Sequence, residues 1–142
     1  MSNPFGKTIT SDDIIEDLSF FDSWEDRYRY IIDLGKQLPE IDDSLKTDER
    51  LVRGCQSQVW LEPYFENDTL SFDVDSDAHI VRGLLAMVMS AYNYKSPNDV
   101  IDFDIESFFG KIDLVKHLSP TRGNGLRAMV KRIQSIAQEK AS

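Results

Sequence analysis

Apolar and polar positions follow two periods along this chain, and the changes between them predict its elements. Ser11 caps a short helix over residues 12–18, whose acidic first turn suits the helix dipole. Ser23 opens a longer helix, with Asp26 at the third helical position as in a capping box and Trp24, Tyr28, Ile31 and Ile32 as its apolar stripe. Gly35 and Pro39 mark its stop, and residues 40–50 are polar and charged, a loop with room for one helical turn. Residues 57–66 form a β-rich run interrupted by Pro63, which predicts an edge or bulged strand. Asn67-Asp68 is a turn signal. Beyond it Leu70, Phe72 and Val74 alternate with polar residues as a one-sided strand does, so the two runs read as an antiparallel hairpin.

Asp75-Ser76-Asp77 reads as the cap of a helix over residues 78–93 that is apolar on nearly every side and belongs in the middle of the molecule. Pro97 starts a short helical turn, and residues 105–109 form another. The last helix, 123–139, carries Leu126, Met129, Val130, Ile133 and Ala137 on one face. Two helices, a hairpin, then helices predict an α+β fold: one domain over 1–142, a small antiparallel sheet with helices packed on one face.

Composition narrows the function. With 41% hydrophobic and 29% charged residues the chain is ordinary for a soluble globular protein, and neither a membrane-spanning run nor a secretory leader is visible. The cytoplasm is the expected location. A net charge of −9 argues against nucleic acid as partner. The charge is uneven: residues 121–142 hold five bases and one acid, leaving 11 bases and 24 acids, a balance of −13, in the first 120. An acidic body with a basic last helix fits protein partners found partly through charge, and equally a solvated surface.

Cysteine is the sharpest total. There is one, Cys55, which excludes an intrachain disulfide and a multi-thiolate metal or cluster site within the chain. With two histidines, His79 and His117, no metal site is expected. Cys55 follows Gly54 at the edge of a polar loop, where a thiol is accessible, and Arg53 is close enough in sequence to stabilise a thiolate. A lone cysteine can also be a small packed hydrophobe, and the residues alone leave both readings open. A cysteine hydrolase would need an imidazole, and both histidines read as structural.

Four blocks in order carry a resemblance over nearly the whole chain. They are Trp24-Glu25-Asp26-Arg27-Tyr28 leading to Leu34-Gly35-Lys36-Gln37-Leu38-Pro39; Gly54-Cys55-Gln56-Ser57-Gln58-Val59-Trp60; the run from Ser76-Asp77-Ala78-His79 to Ala86; and Leu118-Ser119-Pro120-Thr121-Arg122-Gly123-Asn124-Gly125-Leu126. The chain resembles the SufE/CsdE family of sulfur acceptors, nearer to SufE through Asp102-Phe103-Asp104 and the block around Arg122. Thr121 departs from the serine usual there.

The resemblance implies a SufE/IscU-like fold and a role for Cys55 as the persulfide-forming acceptor, on a loop sheltered by an apolar pocket until a desulfurase docks. It places Asp77 and Arg122 near that loop, steadying its sheltered form or helping it open; the residues alone make Asp77 a helix cap and Arg122 a surface ion pair or the entry to the last helix. It also implies a sulfur carrier rather than a stand-alone enzyme, without a cofactor of its own. The partners would be a SufS-like cysteine desulfurase, which carries pyridoxal phosphate, and a SufBCD-type scaffold for iron–sulfur cluster assembly. The chain itself would be a monomer or homodimer. The CsdE branch would instead feed another sulfur pathway, and a non-covalent desulfurase adaptor would leave Cys55 merely packed.

Overall fold

Thr10, not Ser11, opens the first helix. Its hydroxyl accepts from the Asp13 amide while the Asp13 carboxylate accepts from the Thr10 amide, a complete capping box one residue earlier than the sequence suggests. In this computed structural model, which describes residues 3–141, that helix is α1 (Ser11–Ser19). Ser23 caps α2 (Trp24–Lys36) as expected, and the helix runs through Gly35 before it stops. Residues 43–45 and 48–50 add two single 3₁₀ turns, where one helical turn was expected.

The hairpin pairs β1 (Val59–Glu66) with β2 (Thr69–Ser76) in unbroken antiparallel register, from Val59 opposite Ser76 to Glu66 opposite Thr69. Pro63 sits opposite Phe72 without a bulge, because each strand of a two-stranded sheet has an open edge that needs no amide. Asn67 and Asp68 both have positive φ, 53° and 59°, as a two-residue type I′ turn requires. Val59, Leu61, Phe72 and Val74 share one face and join the core. Such a hairpin is marginal by itself, and packing on a helix supplies what it lacks.

That helix is α3 (His79–Tyr92), buried along nearly its whole length and packed between α2, the hairpin and the last helix. Its entry corrects one expectation. Asp75 and Ser76 are strand residues, Ala78 stands at the N-cap and makes no side-chain cap, and the Ser76 hydroxyl accepts from the Ala78 amide at 3.2 Å. Asp75 instead forms a buried ion pair with Arg82, which also donates to the carbonyls of Gly35 (3.2 Å) and Leu38. The Ser76 and Ile41 amides donate to the same carboxylate, so a charge pair that would be costly alone is hydrogen-bonded from several sides.

Among the described residues three more α-helices follow, α4 (Pro97–Asp102), α5 (Ile105–Lys111) and α6 (Pro120–Ala141), with a 3₁₀ turn at Val115–His117 before the last. α6 begins three residues before the expected start. Pro120 stands in its first turn, where a missing amide costs nothing, and the Ser119 hydroxyl accepts from the Arg122 amide at 3.3 Å. Among the described residues no helix is long and apolar enough to cross a membrane.

Candidate functional site

The site is a loop of six residues, 53–58, held between two fixed ends. The Val52 amide donates to the Val59 carbonyl at 2.8 Å, closing the loop where β1 begins. Beside it the Gln58 amide donates to Asp77 Oδ1 at 3.1 Å, and the Asp77 amide returns a bond to the Gln58 carbonyl at 3.3 Å. Asp77 therefore ties the end of the cysteine loop to the entry of α3, a different task from the helix cap that the residues suggested. Its carboxylate remains exposed to solvent.

Gly54 gives the loop its bend. With φ at +92° it occupies a region that side-chain-bearing residues avoid, and a Cβ there would stand 3.3 Å from the Ala128 Cβ on α6. One turn earlier on α6, Cys55 lies against Gly125, and its thiol donates to the Gly125 carbonyl at 3.5 Å. The loop is thus seated on α6 through Gly54 against Ala128 and the Cys55 thiol against Gly125.

Cys55 is half-buried at the wall of a cavity of about 100 Å³. Val59, Val81, Leu84 and Met129 supply its apolar lining, and Ser119, Thr121 and Arg122 from the start of α6 its polar lining. That volume exceeds the roughly 10–15 Å³ a single water needs, so an added sulfur atom on Cys55 has room within it. Burial pushes the thiol pKa up, because the anion loses hydration that the neutral form does not need.

The structure brings Arg122 to the same cavity as Cys55 and sets Asp77 at the loop's far end. Arg53 does not join them. It lines a separate groove between the loop and α6, which corrects the expectation that its neighbouring position would stabilise a Cys55 thiolate. The histidines are elsewhere as well: His79 lines a polar cleft with Lys36 and Arg82, and His117 stacks on Trp24 with ring centroids 4.1 Å apart. The hydrolase reading therefore has no base at the thiol. Among the described residues no group of three or more potential ligands could hold a metal ion.

Sequence reasoning overlooked Gly125, Met129 and Ser119 as parts of the site. No local signal in the sequence could have found them, because they meet Cys55 only where the loop folds onto the head of α6.

Fold and site together define a small α+β protein built around one loop-borne cysteine. A family model described as SufE, an Fe-S metabolism associated domain, matches residues 12–137, and the chain belongs to that family. It is 49% identical over 131 residues to an uncharacterized SufE-like protein of Rhizobium meliloti, covering 89% of this chain and 94% of that one. A second such protein, from Rhizobium etli, is 50% identical over 135 residues, covering 92% and 91%. The fold is shared with the solution structure of a hypothetical protein from Thermus thermophilus, at TM-score 0.75 and 17% identity over 99% of this chain and 98% of that one. Family membership supports a sulfur-acceptor role toward cysteine desulfurases within iron–sulfur metabolism.

Proposed function

We propose that Cys55 takes sulfane sulfur from a SufS-like cysteine desulfurase as a persulfide and passes it to a SufBCD-type scaffold for iron–sulfur cluster assembly. The observation that carries this reading is the half-buried thiol at a cavity with room for an added sulfur atom, on a loop tied at both ends and held at its middle by the thiol's bond to the Gly125 carbonyl.

The transfer balances without any external reductant. The Cys55 thiolate attacks the terminal sulfur of the desulfurase persulfide, and the bond from that sulfur to the desulfurase cysteine breaks. The desulfurase cysteine leaves as a thiolate and Cys55 carries the persulfide, so no electrons are gained or lost overall. Pyridoxal phosphate belongs to the desulfurase, which strips sulfur from cysteine before this step.

Each neighbour then has a task. Val81, Leu84 and Met129 keep water and soluble thiols from the outer sulfur, which is otherwise easily reduced or oxidised. Arg122 sets a cation at the same cavity, suited to a persulfide anion. Asp77, through Gln58, holds the loop in its sheltered form until docking releases it. A second cysteine nearby would close a disulfide and expel the sulfur, and the chain has none. A reducing cytoplasm suits such a lone thiol.

Intact mass after mixing the protein with a cysteine desulfurase and cysteine tests the reading. The expected result is a gain of one sulfur, reversed by reductant and absent from Cys55→Ser. Desulfurase turnover that rises without any gain on Cys55 would make the protein a non-covalent adaptor instead. Loading without onward delivery to a SufBCD-type scaffold would point to the CsdE-like branch.

A further inference from the structure

The cavity beside Cys55 is larger than one added sulfur atom needs, and its two ends differ in chemistry. Leu84 and Met129 are buried and wall its inner end, while Ser119, Thr121 and Arg122 are exposed at its rim. Gln56 and Ser57 add polar groups from the cysteine loop. Among the described residues the side chains of Gln56, Ser57, Thr121 and Arg122 make no hydrogen bond or ion pair. The Ser119 oxygen accepts from the Arg122 amide, which leaves the Ser119 hydroxyl proton to donate. No carboxylate lines the cavity among the described residues, although the chain has 25 acids. Asp77 is occupied with the Gln58 amide at the loop's far end. A guanidinium and several hydroxyls with no acid among them favour an anion.

The inner end favours a different group. Val81, Leu84 and Met129 offer no hydrogen bonds and suit a soft, weakly hydrated atom, and the half-buried thiol lines the same space. A volume of about 100 Å³ is well below the roughly 300–1,000 Å³ of pockets that take larger organic ligands. The ligand that matches is therefore a small anion with sulfur at one end and hydrated oxygens at the other. Thiosulfate is the simplest such molecule.

We infer that the cavity binds a small sulfane-sulfur oxyanion of the thiosulfate class, from which Cys55 takes sulfur without a desulfurase. This rests on the proposed role of Cys55 as a persulfide former and adds a second donor to it. The sulfonate oxygens lie at the rim, paired with Arg122 and accepting from the Ser119 and Thr121 hydroxyls, and the sulfane sulfur points inward to Cys55. The thiol proton passes to solvent and the thiolate attacks the sulfane sulfur. A bond forms between those two sulfurs, the bond from the sulfane sulfur to the sulfonate sulfur breaks, and sulfite leaves with its electron pair. Thiolate and thiosulfate become persulfide and sulfite, with no electrons exchanged with any third species. Arg122 offsets the repulsion between the thiolate and the incoming dianion.

The test is the intact mass of the full chain after incubation with thiosulfate alone, in parallel with a sample given a cysteine desulfurase and cysteine. The expected result with thiosulfate is a gain of one sulfur on the wild type and none on Cys55→Ser. Adding cyanide as sulfur acceptor, which attacks the outer sulfur and releases the Cys55 thiolate, gives KM and kcat for thiosulfate from the thiocyanate formed. Arg122→Gln is expected to raise KM about tenfold and Thr121→Val about threefold, with kcat changing less. Arg132→Gln removes the same charge farther along α6 and is expected to leave KM within about twofold. No gain from thiosulfate by a wild type that the desulfurase loads would overturn the inference and leave the desulfurase reading standing. Gain from thiosulfate by a protein that the desulfurase does not load would do the reverse. Equal KM in the wild type, Arg122→Gln and Thr121→Val would overturn the inference too, because the thiol would then react without the rim.

Discussion

A thiol attacks another protein's persulfide only as its anion, yet burial at the cavity wall holds Cys55 protonated beyond the range of an ordinary thiol. On the proposed reading these demands are separated in time: sheltered, the thiol is inert, and released by docking, it regains the hydration an anion needs. The pH dependence follows with its sign. The thiolate fraction grows as pH rises through the pKa, so a raised pKa moves the alkylation profile of the free protein to higher pH than that of an unfolded cysteine peptide. Rates of iodoacetamide reaction across pH 6–10 check this, and a midpoint at or below that of the peptide would contradict it. Asp77 offers the second residue-scale prediction. Asp77→Ala removes a side-chain hydrogen bond from the Gln58 amide and leaves the main-chain bond between the same residues. A loss of about 1 kcal/mol at the loop would raise the open population and the alkylation rate about fivefold, with little change in global stability. An unchanged rate would show that the tie does not govern exposure. That Cys55 stands in a loop just before a strand is legible from Gly54 and the β-rich run that follows. The partner of Asp77 is not, because Gln58 lies nineteen residues upstream and only the meeting of loop and helix entry joins them.

At the scale of elements, the site depends on α3 keeping its place, because Val81 and Leu84 on that helix line the cavity. α3 crosses α2 with almost no space between backbones. A Cβ on Gly83 would overlap the Ile31 carbonyl, and one on Gly35 would stand 2.6 Å from the Gly83 amide nitrogen. Gly83→Ala, normally favourable inside a helix, is therefore expected to destabilise by about 3 kcal/mol as the two helices are forced apart. Chemical denaturation checks the magnitude, and a neutral or stabilising result would mean the crossing can relax. The elements themselves were largely readable, since the apolar stripe of α2, the alternation in β2 and the all-round apolarity of α3 follow from local period. The ends were not. Asp75 looks like a cap in sequence, but its partners are Arg82 and the Ile41 amide, and Gly35 and Leu38 accept from the same guanidinium. The head of α6 reads as broken at Pro120, Gly123 and Gly125, although each of these is compatible with the helix once Ser119 caps it and the cysteine loop lies upon it.

For the molecule as a whole, charge is separated between a body of −13 over the first 120 residues and a last segment with five bases and one acid. The totals were visible in the sequence, but not their grouping: Arg53 joins Lys131 and Arg132 only because the loop folds onto α6. An approaching partner with an acidic face would be oriented by this field before any contact forms. Exposed charges lose that influence once salt shortens the screening length to about 10 Å at 0.1 M and less above it. The second-order rate constant for loading Cys55 from a desulfurase should therefore fall about tenfold between about 50 and 500 mM sodium chloride. The maximal rate at saturating desulfurase should stay nearly constant, because sulfur passes between two thiols already in contact and shielded from ions. Rapid quench followed by intact-mass readout separates the two constants. A flat second-order constant would reduce the basic helix to a solvated surface, and a falling maximal rate would mean that charge acts on loop release within the complex rather than on encounter.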